Sequence, residues 1–246
     1  MVCMKTKTRQ REFGFTNWGG KRRGAGRKPK GERAGVSHAK RPKLCARHPV
    51  LVTMRLCARL QSLRANDTHR LVRGALEASS TLERFRVVEY SVQSNHLHLM
   101  VEAKDERALS RGMNSLAVRL VRGLNKLWRR CGRVFADRYH ARSLETPRAV
   151  RIALVYVLQN ARKHGAWIAE RPDPYSSGPS FEGWRDGSGG ASRDAHSSPA
   201  WLLRARTWLL SVGWRRHGLI DLRETPRPTK VSGGADRRSR VLRRTG

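Results

Sequence analysis

Residues 85–102, F-R-V-V-E-Y-S-V-Q-S-N-H-L-H-L-M-V-E, decide the fold. The first half is β-branched and aromatic and reads as a strand over 85–93. The second half alternates and reads as a strand over 96–102. Ser94 and Asn95 between them are turn residues, so the two runs predict a tight hairpin. Upstream, residues 49–56 (P-V-L-V-T-M-R-L) predict another strand. Asn66 or Asp67 then caps a helix running to Leu82, with Leu71, Ala75 and Leu76 on its inner face. Downstream, Leu109, Met113, Leu116, Leu120, Leu124 and Leu127 recur at spacings of three and four and predict a long helix over 107–130. Its other face carries Arg111, Arg119, Arg122 and Lys126. A fourth strand is expected over 134–144. Thr146-Pro147 opens a final helix that runs to Lys163, ahead of Gly165. The order βαββαβα is that of a split βαβ, ferredoxin-like α+β core with an antiparallel sheet.

This core, residues 48–166, is flanked by sequence of a different texture. Residues 1–47 are rich in Lys, Arg and Gly, show no apolar period, and read as a disordered DNA-binding tail. Within them, residues 19–31 (G-G-K-R-R-G-A-G-R-K-P-K-G) are AT-hook-like. Arg22, Arg23, Arg27 and Lys28 are the candidates for entering a narrow A·T minor groove, and a generic polybasic linker has the same composition. Residues 167–200 read as a Gly/Ser/Pro linker. Residues 201–214 (W-L-L-R-A-R-T-W-L-L-S-V-G-W) predict a docked helix within a C-terminal segment, 201–246, that ends in a basic tail.

Across 246 residues, 52 Lys+Arg stand against 19 Asp+Glu, a net charge of +33. Self-repulsion on that scale calls for an anionic partner, and nucleic acid is the one whose condensed counterions such cations release. The four cysteines form no C-x-x-C pair, which argues against a zinc ribbon and a disulfide framework. No apolar run approaches the ~18 residues of a membrane span. A cytoplasmic, nucleoid-associated protein is the expectation.

His96 and His98, two apart on a strand, face the same side, and together they can bind a divalent metal if a third ligand comes from elsewhere. A strand with two solvent-facing histidines has the same spacing. Tyr156 and Asn160 lie four apart on the last core helix, hence on one face. A phenol can attack a phosphodiester, and an amide oxygen one turn away can complete a metal's coordination. Tyr156 alone would be a packing residue; the conjunction of the four points to chemistry.

The run N-H-L-H-L-M at residues 95–100, with Y-V-L-Q-N-A-R-K-H-G at 156–165, resembles the signature of the single-tyrosine HUH transposases, closest to the REP-associated tyrosine transposases. In that family the Asn is commonly followed by Pro; here Ala161 follows. The resemblance implies that His96, His98 and Asn160 bind Mg²⁺ or Mn²⁺ and that Tyr156 is the nucleophile. It further implies a chain that cleaves and rejoins single-stranded or hairpin DNA through a 5′-phosphotyrosine link, working as a homodimer. Arg138, Arg142, Arg119 and Arg122 are candidate phosphate contacts. His140 is a possible neighbour of the site, with Tyr139 on the opposite side of its strand. A domesticated or decayed relative that holds DNA hairpins without cutting is the alternative. An RNA-binding sheet is disfavoured, because no Gly/Phe-rich recognition motif occurs in the strands.

Overall fold

In the computed structural model, the described residues are 43–80, 84–163, 165, 170–188 and 202–226. The chain divides into a unit Met1–Ser37 and a unit His38–Gly246, and all described residues lie in the second. The AT-hook-like segment and the basic C-terminus fall outside them.

Alternation builds the sheet. In β1 (Val50–Arg55), Val50, Val52 and Met54 are buried on one face, while Leu51, Thr53 and Arg55 point to the other. β2 (Phe85–Val92) and β3 (His96–Ala103) form the expected hairpin, and β4 (His140–Ser143) pairs with β1. The strand order is β2-β3-β1-β4, with every pair antiparallel. β3 and β1 are central, so the two-histidine strand is held on both sides.

One face of the sheet carries α1 (Asn66–Ser80) and α2 (Glu106–Leu127), packed over Val52, Val87, Leu97, Leu99 and Val101. Asp105 caps α2, its Oδ1 accepting from Ala108 N at 2.7 Å. Leu109, Met113, Leu116, Leu120 and Leu124 are all buried, roughly 1.5–3 kcal/mol each in apolar transfer. At Gly112 a Cβ would stand 2.2 Å from the Phe85 ring, so glycine permits the close approach of helix to sheet. The other face carries α3 (Pro147–Leu158), capped by Thr146 and packed over Met100 and Val88.

Several elements are shorter than the sequence suggests. α2 ends at Leu127 rather than 130, because Arg129 adopts a positive φ of 49° that stops the helix. α1 is described as far as Ser80, with Ser79 and Ser80 donating to the Ala75 and Leu76 carbonyls, and the last two positions of the expected helix, 81–82, lie outside the described residues. The expected strand over 134–144 is a bridge at Phe135 to Leu56, then a turn in which Arg138 N donates to Asp137 Oδ1, then β4. The last core helix is interrupted at Gln159 (φ −107°) before α4 (Asn160–Lys163). The Gln159 amide there donates to the Asp221 and Leu222 carbonyls.

Two readings of the C-terminal half need correction. Of the expected linker 167–200, residues 170–188 are packed onto the core. Val92 N donates to Tyr175 O and Ser177 N to Tyr90 O, so this segment covers the open edge of β2. Arg64 and Asp173 form a bidentate pair at 2.8 Å on each arm. Trp184 is buried, and Phe181 stacks on Trp214 at 5.6 Å. The expected helix over 201–214 is only α5 (Trp208–Ser211) followed by a 3₁₀ turn at Gly213–His217. The buried Glu102 carboxylate accepts from the backbone N–H groups of Arg206 and Thr207, which holds that stretch extended. No helix among the described residues is long and apolar enough to cross a membrane.

Candidate nucleophile and metal site

The register of the sheet assembles the site. Ser91 pairs with His98, His98 with Thr53, and Thr53 with His140, so these four share one row on the α3 face. The next row places Arg55 opposite His96. The rings of His96 and His98 lie 4.5 Å apart between centroids. Both are held through Nδ1. His98 Nδ1 makes a 3.0 Å hydrogen bond with Thr53 Oγ1, and His96 Nδ1 donates to Asn95 Oδ1 at 2.7 Å. A second-shell partner on one ring nitrogen fixes the tautomer and aims the other, Nε2, at a metal.

α3 brings Tyr156 over this strand. Its ring meets His98 edge to face at 4.8 Å, and Lys163 Nζ lies 5.5 Å from the same ring. Tyr156 is half-buried, whereas its helix neighbours Val155, Val157 and Leu158 are buried in the second core. Four residues on, Asn160 is fully buried, and neither its Oδ1 nor its Nδ2 has a hydrogen-bond partner among the described residues. Such a group costs about 1–3 kcal/mol unless something else satisfies it. No cluster of three His, Cys, Asp or Glu side chains occurs among the described residues. Two imidazoles and an amide oxygen are nevertheless donor types that suit a divalent cation, and a partner for the buried Asn160 oxygen is what such a cation would supply.

Of the expected phosphate contacts, Arg142 is exposed on β4, paired to Leu51 and therefore on the face of the histidines. Arg138 is half-buried in the turn before it. Arg119 and Arg122 are exposed but lie on α2, against the opposite face of the sheet, and do not join the site. Arg22, Arg23, Arg27 and Lys28 lie outside the described residues. His140 is exposed in the His98–Thr53 row, and Tyr139 packs against the other core, as strand parity requires.

Sequence reasoning missed Thr53, Ser91, Gln93 and Lys163. Gln93 Nε2 donates to Ser91 Oγ at 2.7 Å beside the histidines. It also missed Glu89, a buried carboxyl on this face that accepts from Ser177 Oγ. Burial pushes its pKa up to about 8, against the opposing hydrogen bond. Cross-strand partners follow from register alone, and a single sequence carries no register signal between strands that a helix separates.

The matching family model is described as "Transposase IS200 like" and covers residues 44–160. That stretch, just under half of the chain, holds the strand histidines, Tyr156 and Asn160. Among solved structures, the chain is similar to a REP-associated tyrosine transposase bound to a REP hairpin. Identity there is 15%, over 58% of this chain and 82% of the other, with a TM-score of 0.47. It is also similar to a candidate transposase of Deinococcus radiodurans, at 13% identity over 55% of this chain and 99% of that one, TM-score 0.35. No curated protein matches.

Proposed function

We propose that this chain is a transposase that cuts and rejoins single-stranded DNA with Tyr156 as its nucleophile. The observation that carries the reading is the Tyr156 ring set against His98, followed four residues later by a buried amide without a partner among the described residues. The Tyr156 phenolic oxygen attacks a backbone phosphorus and its proton leaves to solvent. The bond from phosphorus to the 3′-oxygen breaks, and that oxygen takes up a proton. The products are a 5′-phosphotyrosine link and a free 3′-hydroxyl. Attack by a 3′-hydroxyl on the phosphotyrosine reverses the step and restores the phenol. The exchange conserves one phosphodiester, so it needs no nucleotide hydrolysis.

His96 and His98, through Nε2, and Asn160, through Oδ1, would hold Mg²⁺ or Mn²⁺. When bound, the cation supplies Lewis-acid stabilisation of charge on the phosphate oxygens. Thr53 and Asn95 orient the two rings, and the packing of α3 over β3 sets the approach of the phenol. Arg142 supplies a cation on the same face for the strand backbone. The basic segment with Arg22, Arg23, Arg27 and Lys28, and the exposed Arg119 and Arg122, hold flanking duplex through phosphates. The reading extends to a hairpin substrate and a homodimer.

The test mixes the full chain with end-labelled single-stranded DNA carrying a hairpin, in Mn²⁺, followed by a denaturing gel. A protein–DNA adduct is expected, lost on chelation and in His98→Ala. Binding to the same DNA without an adduct, across a library of cut-site sequences, would leave hairpin binding without catalysis as the function.

A further inference from the structure

A second feature lies on the far side of the sheet from Tyr156. Between α1 and the segment that covers the β2 edge is an open cavity of about 590 Å³, lined in part by Asn66, His69, Arg70, Arg73, Gly74 and Tyr175. The catalytic reading uses none of these residues.

Its chemistry is specific. Tyr175 is fixed rather than mobile. The Arg64 guanidinium lies 4.2 Å from its ring centroid, and Arg64 is itself anchored by Asp173 and by the Val92 carbonyl at 3.0 Å. His69 leans against the same ring at 4.6 Å and 59°. Burial, with Arg73 and Arg64 alongside and Asp173 opposing, lowers the His69 pKa to about 4, so the imidazole is neutral at pH 7. Its Nε2 is buried and has no hydrogen-bond partner among the described residues. At the mouth, Arg70 and Arg73 are exposed cations. Among the described residues Arg70 pairs with Asp67, at 3.6 Å and in solvent, where such a pair contributes little. An aromatic surface, a neutral imidazole without a partner among the described residues and two arginines describe a receptor for a flat heterocycle joined to an anion. A concavity of this size admits one such unit and excludes duplex.

We infer that this cavity binds one unpaired nucleotide, its phosphate on Arg70 and Arg73 and its base against Tyr175 and His69. Stacking of bases on aromatic side chains is the usual anchor of unpaired strands. Glu77 at the lining offers an acceptor to a base's exocyclic amine. The inference rests on the reading that the substrate is single-stranded DNA. A strand that occupies both sites must pass round an edge of the sheet, because α1 and α3 lie on opposite faces of it.

Gly74 makes the site testable without damage to the fold. It is exposed, and a Cβ there meets nothing within 4 Å, so Gly74→Leu improves helix propensity while filling the cavity. The experiment uses the full chain carrying Tyr156→Phe, with a single-stranded oligonucleotide containing 5-iododeoxyuridine, photo-crosslinked and mapped by mass spectrometry. Crosslinking within residues 173–175 is expected, and Gly74→Leu should reduce it about tenfold with no fall in melting temperature. Competition by excess deoxythymidine monophosphate would show that the site takes free nucleotide as well. Lack of competition would restrict it to a nucleotide within a strand; both outcomes support the site. Crosslinking undiminished by Gly74→Leu, or none in residues 173–175, overturns it. The phosphotyrosine adduct takes no part in this measurement. If the wild-type chain forms no adduct, the proposed chemistry falls and the nucleotide site is judged separately.

Discussion

The rings of His98 and Tyr156 meet edge to face with centroids 4.8 Å apart, one on the central strand β3 and the other on α3. The contact joins two segments almost sixty positions apart in sequence, and under the proposed mechanism it makes the packing of α3 on the sheet a catalytic parameter. Arg151 belongs to that parameter. Its guanidinium grips Glu224 at 2.7 and 2.8 Å and the Leu219 carbonyl at 3.1 Å, tying α3 to the C-terminal extension. Arg151→Lys, which cannot reproduce the fork, should lower stability by about 1–2 kcal/mol and slow adduct formation. Urea unfolding and a single-turnover gel assay check the two effects.

Asn160 separates function from stability. Its buried amide has no partner among the described residues, so Asn160→Leu should leave the metal-free protein unchanged or more stable by roughly 1–3 kcal/mol. The same change should abolish adduct formation. Added Mn²⁺ should raise the wild-type melting temperature but not that of the variant, since only a ligand bound to the folded state shifts it. Calorimetry with and without Mn²⁺ decides. A large loss of stability in the metal-free variant would show that the amide is structural.

Thr53 acts through His98. Thr53→Val removes the hydroxyl from Nδ1 while conserving shape, and should cost about 10–100-fold in Mn²⁺ affinity or adduct rate. Thr53→Ser, which restores the hydroxyl, should recover most of it. A Mn²⁺ titration of the adduct rate distinguishes the two variants.

Glu89 predicts a pH dependence of stability. Its carboxyl titrates near 8 in the folded chain and near 4.5 when unfolded, with burial as the main cause. Between these values the folded state holds a proton that the unfolded state has released. Stability is therefore fully present below about 4.5 and is lost as pH rises through 8. His69, lowered to about 4, works with the opposite sign and costs stability as pH falls from 6.5. Denaturant midpoints of the wild type should stay nearly level from pH 5 to 6.5, where the two groups offset, and decline from 6.5 to 8; Glu89→Gln should lose that decline. A wild-type midpoint that rises over that range would contradict the assignment.

The approach of α2 to the sheet depends on Gly112. A methyl group there would meet the buried Phe85 ring at 2.2 Å, so Gly112→Ala should destabilise the fold by about 1–3 kcal/mol despite its better helix propensity. Thermal unfolding measures it.

The βαββαβα order was legible because hairpin alternation and helical spacing are local. Leu109, Met113 and Leu116 report their own face without reference to anything distant. His96, His98, Tyr156 and Asn160 were legible as types at spacings within single elements. Thr53 was not, because its meeting with His98 depends on the register of strands separated by a helix. Residues 170–188 were misread for a related reason. Their Gly, Ser and Pro content describes a linker, and only the finished edge of β2 supplies Tyr90 and Val92 as backbone partners. The helix expected over 201–214 failed because the Glu102 carboxylate, remote in sequence, takes the Arg206 and Thr207 N–H groups.

The central claim is that Tyr156 carries the DNA, and peptide mapping tests it directly. Trypsin releases residues 152–162 (I-A-L-V-Y-V-L-Q-N-A-R), in which Tyr156 is the sole hydroxyl-bearing side chain. After reaction with single-stranded DNA and nuclease trimming, that peptide should carry a 5′-phosphonucleotide, and the modified peptide should be absent from Tyr156→Phe. A phosphonucleotide on any other peptide, or an adduct that persists in Tyr156→Phe, would contradict the account.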